Sequence, residues 1–131
     1  MATELLVLAW GCVLALVHVF AAVRVKTRQY GVKWNMGARD EALPPPEPIV
    51  GRLARAQANF FETFPIAAAA ILIVTVAGRT DEWTAIGAIL WLAMRALYLP
   101  VYALGIPKLR TVIFLLSVVG IALILRPVLW P

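Results

Sequence analysis

Apolar residues run along this chain in four long blocks, separated by short polar stretches, with no strand-like alternation. From Leu5 to Val23 there is no charged side chain, and Cys12 and His18 are the only titratable ones. A helix rises about 1.5 Å per residue, so about 20 such residues cross the roughly 30 Å of a bilayer's hydrocarbon. The blocks predict membrane-spanning helices at about 5–25, 52–76, 82–104 and 109–125. The polar stretch between the first two carries Gly37-Ala-Arg-Asp-Glu41 and then Pro44-Pro-Pro-Glu-Pro48, which reads as a stiff, extended spacer. Gly78-Arg-Thr-Asp81 predicts the turn before the third span, and Arg126-Pro127 the end of the fourth. In lipid, only helices and closed barrels satisfy every backbone polar group. The expected fold is all-α: a membrane-embedded, up-down four-helix bundle forming one domain over residues 1–131.

Composition agrees with this reading. Hydrophobic residues make up 63% of the chain and the mean hydropathy is +0.87, whereas soluble domains are about 45–50% apolar. The net charge of +5 points in a membrane protein to orientation and lipid headgroups rather than to nucleic acid. The single cysteine, Cys12, has no intrachain disulfide partner and is expected to pack, as is His18. Met1-Ala-Thr-Glu4 lacks the basic start of a signal peptide, so the first block is read as a retained helix. Trp83, Trp91, Trp130, Tyr98 and Tyr102 supply candidate interfacial anchors. No metal-ligand set is expected.

Charge gives an orientation. Residues 24–55 hold seven Lys/Arg (24, 26, 28, 33, 39, 52, 55) against three acids (40, 41, 47). Lys108 and Arg110 lie between spans three and four, whereas Arg79 faces Asp81 and Glu82 between spans two and three. The positive-inside rule places the first and third connections in the cytoplasm, with Arg126 a small count against it. The start of span two, the end of span three and the start of span four then share one face.

That face holds the unusual residues. Arg55, Asn59 and Glu62 are spaced i, i+4, i+7 on one side of span two, with Glu62 roughly 10 Å deeper than Arg55. Gln57 points about 200° away from Arg55 and requires a different surface, such as that of a neighbouring subunit. Arg95, Tyr98 and Tyr102 share a face of span three, and Arg110 opens span four. Ionisable groups within a span are costly and point to function. Arg55, Asn59 and, from a distance, Arg95 are expected partners of Glu62. Arginines clamp carboxylates, a buried glutamate takes an ammonium, and a guanidinium holds a thiol as its nucleophilic thiolate. Spacing alone does not choose among these. Arg24, Arg52 and Lys108 read first as snorkelling to headgroups.

Arg-Ala-Gln-x-Asn-x-x-Glu-x-Phe-Pro at residues 55–65, with Arg95-x-x-Tyr98-x-x-x-Tyr102 and Leu109-Arg110, resembles the MAPEG family of membrane-associated proteins in eicosanoid and glutathione metabolism. The likeness is greatest to the leukotriene C4 synthase and microsomal glutathione transferase branch, and covers all four spans. It implies a homotrimer that binds glutathione as co-substrate between subunits near the cytoplasmic side. Arg55, Asn59, Glu62, Tyr98 and Tyr102 match family glutathione contacts, and Gln57 matches one made from the neighbouring subunit. Arg24 or a nearby base matches another neighbour contact. Arg110 matches the catalytic arginine that stabilises the thiolate, although one extra residue separates it from Tyr102. Thr63 replaces a tyrosine common in the leukotriene branch, and Ala58 argues against prostaglandin synthase activity. The proline-rich connection suggests a prokaryotic member in a bacterial inner membrane.

The implied function is a glutathione-dependent transferase or peroxidase acting on lipophilic small molecules that enter from the bilayer. The family also contains a non-enzymatic protein, so a membrane lipid-binding or scaffold role is the alternative. A small multidrug-type transporter also has four helices, but such proteins carry an essential glutamate within helix one. Here helix one has no acid beyond Glu4.

Overall fold

The computed structural model describes residues 1–131. It is all-helical: α1 (Thr3–Tyr30), α2 (Val32–Met36), α3 (Pro48–Val76), α4 (Glu82–Ala103) and α5 (Pro107–Leu129). Four of these helices are long and apolar enough to cross a membrane. Together with the apolar composition, they make this a multi-pass membrane protein.

The helices exceed the expected spans at several ends. α1 continues through the basic Arg24–Arg28 segment and stops at Gly31, whose φ of +99° lies where side chains are disfavoured. At 28 residues it is longer than the hydrocarbon is thick, so its last turns carry charge into the headgroup layer. Within the first connection, ahead of the proline spacer, Val32–Met36 forms the short helix α2. α3 begins at Pro48 because proline suits the first helical turn, where its missing N–H is not needed. α5 does not stop at Arg126-Pro127 but continues to Leu129. Arg126 there forms an ion pair with Asp81, which ties the end of α5 to the start of α4.

The proline spacer is tied back to α1. Gln29 donates to Pro45 O at 3.0 Å and accepts from the Glu47 N–H at 2.8 Å, and the Tyr30 hydroxyl donates to Pro44 O at 3.0 Å. These bonds fix where α3 starts, and hence where Arg52 and Arg55 lie.

α3 and α4 touch each other and both outer helices, whereas α1 and α5 do not meet. The core is Phe60, Ala67, Ile71, Val74, Ala88, Trp91, Ile121 and Ile124 with their neighbours. Trp91, one of the five candidate anchors, is fully buried, with its ring stacked on Phe64 at 5.8 Å between centroids. Trp83 and Trp130 are exposed at helix ends, as anchors require. Cys12, expected to pack, is exposed on α1. His18 is buried and stacks on Phe60 at 4.7 Å.

α4 and α5 form the most extensive pair, and two glycines explain why. A Cβ at Gly87 would lie 2.6 Å from Gly120 O, and one at Gly120 would lie 2.6 Å from Gly87 O. Backbone meets backbone there, the close approach that small residues permit between membrane helices. At the same end of the bundle Asp81 and Thr84 form a capping box on α4, and the Thr84 hydroxyl lies 2.5 Å from the buried Glu4 carboxylate.

Candidate functional site

At the opposite end, the start of α3, the end of α4 and the start of α5 come together. Arg52, Arg55, Tyr102, Gly105 and Arg110 line an open cavity of about 260 Å³. Directly beside it, Asn59, Tyr98, Arg110, Thr111 and Phe114 line a smaller one of about 100 Å³. Arg110 belongs to both and forms the wall between them.

Tyr102 organises the larger cavity. Its hydroxyl accepts from Arg55 Nε at 3.2 Å, and the Arg110 guanidinium lies over its ring at 4.7 Å from the centroid. One phenol therefore holds two like charges in place, through oxygen on one side and π-face on the other. Arg52 donates from Nη1 to Ala103 O at 3.3 Å, on the last carbonyls of α4. No acidic side chain lines either cavity. Three guanidinium groups thus converge with only neutral partners, which is the electrostatic form of an anion site.

Beneath them lies Arg95, fully buried. It donates from Nη1 to Asn59 Oδ1 at 2.8 Å and lies over the Tyr98 ring at 4.4 Å. Arg95 was expected as a distant partner of Glu62; it is bound to Asn59 instead. Glu62 is exposed and makes no ion pair or hydrogen bond within the chain. Helix geometry gives the reason. The buried stripe of α3 runs through Leu53, Ala56 and Phe60. At about 100° per residue, Glu62 points about 150° away from it and Arg55 about 130°. Asn59 sits nearer the stripe and turns inward.

The residues expected to form the site therefore divide. Arg55, Tyr102 and Arg110 share one cavity, and Asn59, Tyr98 and Arg110 share the next. Glu62, Gln57 and Arg24 line neither. Gln57 is half-buried on the other flank of α3, and Arg24 is exposed on α1 above an apolar surface that includes Val17 and Phe20. Tyr98, a candidate interfacial anchor, is 2% exposed and packs in the interior. Arg52 is the cavity residue that sequence reasoning assigned to the headgroups. Its signal was the i, i+3 spacing to Arg55, which sets both on one flank of α3.

No curated protein and no solved structure shows a significant match to this chain. The family model described as MAPEG family matches residues 7–130, nearly the whole length. With its four spans and a cluster of arginine, tyrosine and asparagine side chains at one end, this protein belongs to the MAPEG family.

Proposed function

We propose that the protein is a glutathione-dependent transferase or peroxidase, acting on lipophilic electrophiles that reach it through the bilayer. The observation that carries this reading is the convergence of Arg52, Arg55 and Arg110 around Tyr102 with no acid in the cavity. Glutathione brings two carboxylates and a thiol. Arg52 and Arg55 are placed to clamp a carboxylate. Arg110, shared by both cavities, is the group that holds the thiol as thiolate, since a neighbouring cation stabilises the charged form. The thiolate attacks the electrophile, forming a carbon–sulfur bond as the leaving group departs. With a hydroperoxide, it attacks oxygen and a second glutathione completes the reduction to alcohol, water and glutathione disulfide.

The protein acts as a homotrimer in this reading. Support comes from Glu62, an ionisable group on a helix surface that would otherwise face hydrocarbon at high cost. A neighbouring subunit covering that face gives Glu62, Gln57 and Arg24 a common ligand. Glu62 then takes the glutathione ammonium. The proline-rich first connection and the loop charges support a bacterial inner membrane with this end in the cytoplasm.

Purified protein, glutathione and a generic aryl halide test the activity. Glutathione-dependent conjugation is expected, and absence of both binding and conjugation removes the reading. If the wild type binds glutathione but conjugates nothing, the lipid-binding or scaffold alternative gains instead.

A further inference from the structure

We propose that Arg52 binds the glycyl carboxylate of glutathione, and so determines selectivity for that end of the ligand; this rests on the glutathione reading above. Its visible bond, to Ala103 O at 3.3 Å, uses one of five donors. The guanidinium lines the 260 Å³ cavity beside Arg55 and Arg110.

Its position is held by a glycine. Gly105 has a φ of +74°, and a Cβ there would lie 3.0 Å from Arg52 Cζ and 3.1 Å from Nη2. The backbone of the α4–α5 turn therefore serves as the floor on which the Arg52 guanidinium rests, in closer contact than a side chain at this position would leave.

Charge selects which carboxylate enters. The γ-glutamyl carboxylate carries an ammonium on the same carbon. Three guanidinium groups with no acid beside them repel that ammonium. The glycyl carboxylate has only a neutral amide as neighbour, and meets no such penalty. The ammonium belongs outside this cavity, towards Glu62.

The test titrates the full-length protein in detergent by calorimetry with two ligands: glutathione, and glutathione ethyl-esterified on its glycyl carboxylate. Wild type is expected to bind the ester about tenfold more weakly, the usual size of one lost charge-assisted bond. Arg52→Gln is expected to weaken glutathione about tenfold and the ester less than about twofold. A residue that merely capped α4 would change both ligands alike. Equal weakening of both, or no change in either, overturns the inference. So does a wild type that binds ester and glutathione equally. If wild type binds neither, the glutathione reading itself fails, an outcome visible before any variant is made. Should Arg52→Gln fail to assemble, Arg52→Lys keeps the charge but loses the bidentate fork, and a loss greater for glutathione than for the ester is expected; its absence overturns the inference.

Discussion

Arg95 Nη1 and Asn59 Oδ1 lie 2.8 Å apart, and this bond fixes which way the asparagine faces. A guanidinium has five donors and no acceptor, so Asn59 must present its oxygen to Arg95. Its amide N–H groups are left for the small cavity it lines with Tyr98 and Arg110. Asn59→Leu deprives a buried cation of its hydrogen-bond acceptor and is expected to cost about 1.5–3 kcal/mol. Asn59→Asp keeps an acceptor there and is expected to be tolerated. Thermal unfolding of the two variants in detergent checks this; equal stability of Asn59→Leu and wild type would contradict it.

The Gly87–Gly120 contact makes a second prediction. Each Cβ would meet a carbonyl oxygen at 2.6 Å, and backbone cannot swing aside as a side-chain tip can. Gly120→Ala is expected to destabilise the bundle by about 1–3 kcal/mol through overpacking. The measure is the unfolding midpoint, and an unshifted midpoint refutes the tight crossing.

Asp81 predicts an acid limb. The Thr84 backbone N–H, first, and then the charge and hydrogen bond of Arg126 hold its carboxyl below the ordinary aspartate value of 3.8. A carboxyl depressed on folding contributes stability that is full above its unfolded value and fades as pH falls through its folded one. The contribution is therefore expected to be intact at neutral pH and to decline below about pH 3.8. Asp81→Asn is expected to flatten that part of the stability–pH curve. An identical acid limb in the variant would show that the carboxyl titrates alike folded and unfolded.

Glu62 separates a lipid-facing surface from one covered by a neighbouring subunit. Glu62→Leu is expected to lower glutathione affinity by about tenfold or more, the loss of a charge-assisted contact to the ligand ammonium. The helical protomer should survive, since Glu62 bonds to nothing within it. Circular dichroism and calorimetry read the two effects separately. Undiminished affinity in a folded variant contradicts a ligand role.

Much of the bundle was legible because hydrocarbon thickness imposes one simple length scale on apolar blocks, and the four spans follow from it. The helix ends were not legible to the residue. α5 runs through Pro127 to Leu129, with Arg126 of its last turn paired to Asp81, a partner remote in sequence that spacing does not reveal. Trp91 could not be sorted from the sequence, because an indole in a span reads equally as anchor or core and only the neighbouring Phe64 decides. In the candidate site, the shared cavity of Arg55, Tyr102 and Arg110 followed from spacing and loop charge. Arg95 was seen but given the wrong partner, since i, i+4, i+7 spacing says which residues share a face and not which way that face points. Arg52 was passed over because an arginine at a helix mouth reads first as a headgroup contact.

In the proposed reaction Arg110 holds glutathione as a thiolate, a species that ultraviolet absorbance detects. At about pH 7 a free thiol, with its pKa near 8.5, is mostly protonated. Adding glutathione to the wild-type protein is expected to raise thiolate absorbance in proportion to occupied sites, and Arg110→Gln is expected to abolish the rise while ligand remains bound by calorimetry. A rise of equal size in Arg110→Gln, or saturating binding to wild type with no thiolate signal, would contradict the account.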